Sequence, residues 1–427
     1  MSSAYETLSS LPAIRERATE VYKIAKAGEA SNFDLHEDRL DATVDLVIKV
    51  ILGSFPVDKF STIPPHGRWQ HFETGDVPRL TKVLDQWESG GVDSTERCRR
   101  LMDLFLVSVL LDAGAGDNWK YKEASTGTAV ERSEGLAVAS LYMFLDGSFG
   151  GGKAGLVNGE GLKSLTSETL AAGMQASEAN PLTGVEGRTS LLQSLGSSLL
   201  SQPDIFGAEG RPGKIVDYLL NSNKGSQLDV ATLWAALQQL LLPIWPTDRT
   251  KVEGKAIGDA WPLSTLKKVA KDDDPSSLIQ PFHKLTQWLT YSLMVPFVRL
   301  LNLEWTNSQL LTGLPEYRNG GLFVDMGVLT LKQDVLARGV EKSGERLPMF
   351  EPAEDVIVEW RALTVALLDI VHVEVNKKLR AMGATADLSL AQVLEAGTWK
   401  AGRVLAAEKR PETRSSPILI ISDGTLF

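Results

Sequence analysis

Hydrophobic residues recur at intervals of three and four along most of the chain, which is the period of an α-helix. In residues 10–28, Leu11, Ile14 and Val21 fall on one face, and residues 40–54 repeat the pattern until Pro56 stops it. The same period predicts further helices, and the residues from 99 to 111 are apolar enough to be buried all round. The other predicted helices are 133–145, 189–200, 214–221, 229–242, 277–302 and 352–380.

Strand patterns are few. Residues 417–421 form a short β-branched run that a turn-forming Ser-Asp-Gly sequence follows, and Leu322–Leu331 is a second candidate strand. Loops are predicted at 147–155, 222–226 and 268–276. The predicted fold class is therefore mainly α, with a few short strands.

The chain has 427 residues, enough for two or three core-sized units or for one large helical domain. No Gly- or Ser-rich stretch is long enough to be an obvious linker between domains. We therefore predict a single large helical domain over residues 1–427, with a separate N-terminal helical lobe at about 1–100 as the alternative.

The net charge of −10 does not favour nucleic acid or an anionic membrane surface as a partner. Cys98 is the one cysteine, so an intramolecular disulfide cannot form. The first 25 residues lack the apolar run of a secretory signal, and no stretch reaches the roughly 18 apolar residues of a membrane span. A cytoplasmic protein without a membrane segment is expected by elimination.

Candidate chemistry begins with Asp325, which lies in the apolar run Leu322–Leu329. A buried, unpaired carboxylate is unfavourable by several kcal/mol or has a shifted pKa. Glycines at 320, 321 and 327 allow close approach of backbone or ligand. The structural alternative is a carboxylate that caps a helix or accepts hydrogen bonds from loop amides.

Charged residues also interrupt the apolar helix predicted after Pro352. Glu359 and Arg361 are two residues apart, so they point to different faces and each needs a partner elsewhere. They are candidates for a site, and a buried ion pair with another helix is the alternative.

A third candidate follows the apolar segment that ends near Leu111. Asp112, Asp117 and Trp119 lie there beside two glycines, a combination that suits a sugar or planar ligand. A helix end and a loop are the structural alternative. The dinucleotide-binding fingerprint is absent, because neither the preceding strand nor the third glycine is present.

The segment from Pro64 to Phe72 contains His66, Arg68 and His71. Two histidines five residues apart, without a nearby cysteine, make a metal site improbable, and contact of Arg68 with an anion is the better functional hypothesis. A surface loop is the alternative. Because no Walker, GxSxG or HExxH motif is present either, we predict no metal and no cofactor.

Several long motifs nevertheless resemble the uracil catabolism protein 4 family, over almost the whole chain. They are LLDAGAGDNWKYKE at 110–123, RSEGLAVASLYMF at 132–144, NPLTGVEGRTSLLQSLG at 180–196, GGLFVDMGVL at 320–329, EWRALTVALLD at 359–369 and ISDGTLF at 421–427. The resemblance implies a role in pyrimidine degradation beside other uracil-degrading enzymes. The implied step is cleavage of the N-glycosidic bond of ribosylurea, or its 5′-phosphate, with release of urea.

A fainter resemblance is to the queuosine salvage proteins, which are N-glycosylases with a helical fold like that of DNA glycosylases. Their aspartate in a DYRVP-like run and their EIRA-like helix resemble Asp325 and Glu359–Ala362, and their LDALNFCFW-like segment resembles Leu111–Ala113 with Trp119. Gly327, Val328 and Leu329 depart from that pattern, which puts the ligand contacts of that run in doubt.

These resemblances imply a small-molecule site with Asp325 and Glu359 as catalytic carboxylates. The implied substrate-binding residues are Asp112, Trp119, Asp117, Phe323, Arg361 and Arg68. Two other functions stay open at this stage: an amidohydrolase acting on the ureide, and a non-enzymatic binding subunit of the uracil pathway.

Overall fold

A computed structural model describes residues 3–112, 115–116, 118–222, 225–246, 249–270 and 274–421. Nineteen α-helices account for most of the secondary structure in these ranges, so the predicted mainly-α class is confirmed. They are α1 (Ala4–Leu8), α2 (Leu11–Lys26), α3 (Leu40–Ser54), α4 (Arg68–Phe72), α5 (Arg79–Ser89), α6 (Ser94–Leu110), α7 (Arg132–Asp146), α8 (Gly159–Lys163), α9 (Ser167–Gly173), α10 (Val185–Leu200), α11 (Pro203–Phe206), α12 (Ile215–Ser222), α13 (Val230–Leu241), α14 (Lys284–Leu301), α15 (Tyr317–Asp325), α16 (Gln333–Ser343), α17 (Asp355–Ala381), α18 (Leu390–Val393) and α19 (Trp399–Lys409).

The strands of the described residues are two or three residues long and pair into two-stranded sheets. Two pairs, β4 with β9 and β11 with β12, are parallel, and the others are antiparallel. The strands are β1 (Phe33–Leu35), β2 (Lys120–Lys122), β3 (Ala129–Glu131), β4 (Gln227–Asp229), β5 (Lys251–Val252), β6 (Lys255–Ala256), β7 (Ala260–Pro262), β8 (Ile279–Pro281), β9 (Glu304–Thr306), β10 (Leu329–Leu331), β11 (Met349–Phe350) and β12 (Leu419–Ile420).

The chain divides into two compact units, each assembled from separate segments. The first unit consists of Met1–His66, Asp248–Lys284 and Gln309–Ile421. The described residues of the second fall within Gly67–Thr247 and Leu285–Ser308. The expectation of one large domain stays a prediction.

In the first unit, α17 forms the centre of the core. Its residues from Val356 to Leu368 are all buried, and α2, α3 and α15 pack around the helix. A helix that is apolar all round is stable only when other elements cover it, and here they do. Consequently any polar group on α17, including Glu359 and Arg361, has to find its partner inside the unit.

In the second unit, α6 has the corresponding position. Its residues from Leu101 to Leu110 are all buried, as its composition predicted, and α7 and α12 pack against it. The hairpin of β2 and β3 leads directly into α7. The end of α6 and the start of α7 therefore bring Asp112 and Ser133 into one neighbourhood.

Most predicted helix ends lie close to the observed ones, but two predictions were wrong in part. The helix predicted over 277–302 begins only at Lys284, because Ile279–Pro281 pairs with β7 as a strand. The strand predicted over Leu322–Leu331 is helical as far as Asp325 and extended only in β10. None of the helices in the described ranges is long and apolar enough to cross a membrane.

Candidate active site

Asp325 is the last residue of α15 in the first unit. The helix ends in a Schellman motif: Gly327 has a φ of 73°, and the Val328 N–H donates to the carbonyl of Phe323 at 2.8 Å. The left-handed conformation explains why glycine follows at this point. A β-carbon added at Gly327 would meet no atom within 4 Å, so open space lies two residues beyond Asp325.

The Asp325 carboxylate is held by Arg410, which follows α19. The guanidinium nitrogens Nη1 and Nη2 donate to Oδ1 and Oδ2 at 2.9 and 2.5 Å. The aspartate side chain is 5% exposed and the arginine side chain 13% exposed. Such a two-pronged pair fixes the direction of the carboxylate as well as balancing its charge.

The two glycines before Asp325 serve packing rather than ligand approach. A β-carbon at Gly320 would lie 2.8 Å from the Trp360 ring, and one at Gly321 would lie 3.1 Å from Pro417. The Trp360 indole also donates to the carbonyl of Gly320. Phe323, on the same helix, is fully buried, and its contact with a substrate stays a prediction.

Glu359 of α17 is fully buried and accepts hydrogen bonds from the backbone of residues 31–33 and from one distant hydroxyl. The N–H groups of Ser31, Asn32 and Phe33 donate to its two oxygens at 2.8, 2.8 and 3.0 Å, and the Thr265 hydroxyl donates to Oε2. Burial raises the pKa of Glu359, against the lowering effect of these donors. The carboxylate thereby fixes the start of β1.

That strand connects Glu359 with the surroundings of Asp325. Strand β1 pairs with β10, and the His36 N–H, just after β1, donates to the Val328 carbonyl at 2.8 Å. Val328 lies in the turn between Asp325 and β10. Glu359 thus helps to fix the position of that turn, because it binds the backbone that leads into β1. Its predicted catalytic role stays a prediction.

Arg361, two residues further on α17, binds Asp259, which immediately precedes β7. Nη1 and Nη2 donate to Oδ1 and Oδ2 at 2.8 and 2.7 Å, and both side chains are nearly inaccessible. The indole of Trp261 and the backbone N–H of Lys284 donate to the same carboxylate. Burial raises the pKa of Asp259, but the Arg361 charge outweighs it and holds the pKa well below its usual range.

In the second unit, Asp112 and Arg68 form a direct ion pair, with Nη1 2.9 Å from Oδ2. Arg68 is fully buried and also donates to Ser108, while the Ser133 hydroxyl lies 2.6 Å from both oxygens of Asp112. Burial lowers the pKa of Arg68, and the charge of Asp112 opposes this effect. The Asp112 side chain is 13% exposed.

His71 completes this group, because its Nδ1 lies 3.1 Å from Arg68 Nη1. A guanidinium has no acceptor, so Nδ1 accepts this hydrogen bond and the proton of a neutral ring is on Nε2. The two histidines of the segment from 64 to 72 have different partners, since His66 Nδ1 pairs with Glu395 at 2.6 Å. Across the described ranges, no three His, Cys, Asp or Glu side chains are grouped to hold a metal ion.

Trp119 is buried in the second unit, and its indole donates to the Met174 carbonyl at 2.9 Å. A β-carbon at Gly135 would come within 2.9 Å of the same ring, so Trp119 packs tightly against α7. These contacts are those of a core residue, and its role in substrate binding stays a prediction. Asp117 lies outside the described residues.

Each unit therefore gathers part of the predicted set. The first unit contains Asp325, Phe323, Glu359 and Arg361 on two helices that pack together, although both carboxylates have their own partners. The second unit joins Arg68 and Asp112. Asp259 and Arg410 were not among the residues predicted from the sequence. Asp259 did carry a signal, because it too is a carboxylate inside an apolar run, Ile257–Leu263.

Comparison with known proteins gives consistent results over nearly the full length. The family model described as "Protein of unknown function (DUF1688)" matches residues 7–427. "Protein urg3" of Schizosaccharomyces pombe is 50% identical over 423 residues, covering 98% of both chains. "Uracil catabolism protein 4" of Lachancea kluyveri is 44% identical over 434 residues, again covering 98% of both.

Proposed function

The chain belongs to the DUF1688 family, and we propose that it acts in uracil catabolism as an N-glycosidase that releases urea from ribosylurea or its 5′-phosphate. The pathway is supported by the name of the Lachancea kluyveri relative, to which the chain is similar from end to end. The reaction itself rests on the resemblance of the sequence motifs and on the chemistry that the Asp325 carboxylate can perform.

The proposal depends on the carboxylate of Asp325. Cleavage of an N-glycosidic bond passes through an oxocarbenium-like state with positive charge at the anomeric carbon. An oriented carboxylate stabilises that charge, and it does so more strongly where little water is present. Asp325 is such a group, because Arg410 holds its carboxylate in one direction and its side chain is only 5% exposed.

The reaction is balanced by one water molecule. The bond between the anomeric carbon and the urea nitrogen breaks, and its electron pair leaves with the nitrogen. Water adds its oxygen to the carbon and loses one proton, while the nitrogen gains one, so the products are ribose, or its phosphate, and urea. Neither an oxidant nor a further co-reactant is required.

The other predicted residues receive supporting roles. Glu359 and Arg361 each bind groups of the first unit, so we assign them to positioning rather than to contact with the reacting atoms. Asp112, Arg68 and Trp119 belong to the second unit, and the substrate contacts that the sequence resemblance implies for them stay predictions.

The proposal is tested by incubating purified protein with ribosylurea and, separately, with its 5′-phosphate, and measuring free urea. We expect urea from at least one compound, and a loss of about 10²–10³-fold in kcat for folded Asp325→Asn, because removal of one electrostatic stabiliser has effects of that size. Asp334→Asn, an exposed carboxylate on α16, is the matched control and should stay within about twofold.

The other functions predict different products. Ammonia without free urea would indicate an amidohydrolase, and binding without turnover would indicate a non-enzymatic subunit. Near wild-type urea release by Asp325→Asn would disprove the role of this carboxylate.

A further inference from the structure

Residues 410–418, which we call the C-terminal strap, follow α19 and lie against α15 in the first unit. Two arginines fix the strap by its carbonyl groups: Arg410 Nε donates to Ser415 at 2.7 Å, and Arg318 Nη1 donates to Arg414 at 2.9 Å. Pro417 packs on α15 at Gly321, where a β-carbon would lie only 3.1 Å from it. The strap therefore has a defined position on this helix.

Arg410 links the strap with the Asp325 carboxylate. Its Nε binds the strap, while Nη1 and Nη2 bind the two carboxylate oxygens. Each of the three nitrogens of one planar guanidinium thus donates a hydrogen bond, and the arginine side chain is 13% exposed. A lysine could bring the charge to this point but could not form both hydrogen bonds in one plane.

The location of Asp325 makes this partner necessary. Asp325 lies in the last turn of α15, at the negative end of the helix dipole. An anionic carboxylate is unfavourable at this end, and it is also nearly buried. The positive charge of Arg410 offsets both effects and keeps the carboxylate in one orientation.

We infer that Arg410 is the positioning residue of the reaction: it fixes the Asp325 carboxylate relative to the anomeric carbon, and the C-terminal strap fixes Arg410. The inference rests on the proposed function. The expected loss of rate follows from geometry, since a misplacement of about 1 Å in a catalytic group can reduce the rate about 100-fold.

The test compares Arg410→Lys, Arg410→Ala and Arg414→Ala in the urea-release assay. Arg414 has an exposed side chain in the same strap, so Arg414→Ala removes the same charge without touching Asp325. For Arg410→Lys we expect kcat to fall at least about tenfold while KM changes less than about twofold. Arg414→Ala should keep both values within about twofold.

Chemical rescue separates positioning from folding. Guanidinium ion at nondenaturing concentration should restore part of the kcat of Arg410→Ala, because it can occupy the same two hydrogen bonds, and it should not restore Asp325→Asn. Circular dichroism establishes that each variant is folded.

Three results would overturn the inference. The first is a kcat for Arg410→Lys within about twofold of wild type while Asp325→Asn is inactive, and the second is an equal loss in Arg414→Ala. The third is no recovery of folded Arg410→Ala with guanidinium. A wild-type protein that releases no urea would instead disprove the proposed function, and this inference with it.

Discussion

Two arginine–aspartate pairs in the first unit have the same two-pronged geometry in different surroundings. Asp259 accepts from Arg361 and also from the Trp261 indole and the Lys284 backbone, in a place where both charged side chains are at most 3% exposed. Asp325 lies at a helix end and, within the part of the chain that the structure describes, accepts from Arg410 alone.

The two pairs differ in how many further hydrogen bonds each carboxylate can accept. An ionised carboxylate has about four acceptor positions, and at Asp259 four donors fill them. At Asp325 two of these positions are filled, so capacity for a ligand or a developing charge remains. The same residue types therefore indicate different roles, and the number of donors tells them apart.

The largest expected effect is on stability at the Arg361–Asp259 pair, where all four acceptor positions of the carboxylate are filled. Arg361→Ala leaves the Asp259 charge buried without its partner, which should lower the free energy of unfolding by about 3–5 kcal/mol. Arg410→Ala, at the more exposed pair, should lower it by about 1–3 kcal/mol. Denaturation with urea measures both. Equal losses would contradict the distinction between the pairs.

A third arginine–aspartate contact lies in the second unit, and its aspartate has a raised pKa rather than a lowered one. Asp103 is buried and receives one bond from Arg211 Nε at 2.8 Å and one from the Gly213 N–H at 2.6 Å. Burial raises its pKa to about 7, because a single arginine bond does not outweigh the loss of water. The two-pronged contact at Asp259 has the opposite result.

The sign of the pH effect follows from this raised pKa. Between the ordinary value of 3.8 and about 7, the folded protein binds more protons at Asp103 than the unfolded chain does. Its contribution to the free energy of unfolding is therefore complete below pH 3.8 and is lost as the pH rises through 7, on the order of a few kcal/mol. In Asp103→Asn the free energy of unfolding should not show this fall between pH 3.8 and about 7. Denaturation midpoints at several pH values measure it, and parallel profiles for both proteins would refute the expectation.

The smallest expected effect is at Glu359, which has no arginine in its hydrogen-bonding shell among the described residues. In Glu359→Gln one acceptor becomes an NH₂ group facing backbone N–H donors, and the unfolding free energy should fall by about 1–3 kcal/mol. Glu345→Gln, an exposed site, should change it by less than about 0.5 kcal/mol. A loss as large as that of Arg361→Ala would mean that the arginine is not what distinguishes the sites.

The helices could be predicted from the sequence because their apolar faces are long and regular. Residues 40–54 are one example, where the predicted and observed bounds agree. Short strands such as β8 and β10 could not be separated from neighbouring helices, because a three-residue strand has too few positions to show a period. Their pairing depends on partners far away in the chain.

The sequence predicted one member of each arginine–aspartate pair in the candidate site, but not its partner. The sequence singles out Asp325 and Arg361 as charges in apolar surroundings, and both have the partners that such charges require. The partners themselves are 85 and 102 residues away, at Arg410 and Asp259. Spacing rules act over a few residues, so the choice among distant arginines and aspartates is made by the tertiary fold.

The assembly of the first unit from separated segments has a consequence for biosynthesis. Helix α2 packs on α17, and Arg15 pairs with Asp369, a separation of 354 residues. At translation rates of about 5–20 residues per second, α2 waits roughly 20–70 s on the ribosome before its partner is made. During that time the part of the apolar face of α2 that α17 covers stays exposed, and exposed apolar surface of this kind makes a nascent chain prone to aggregation.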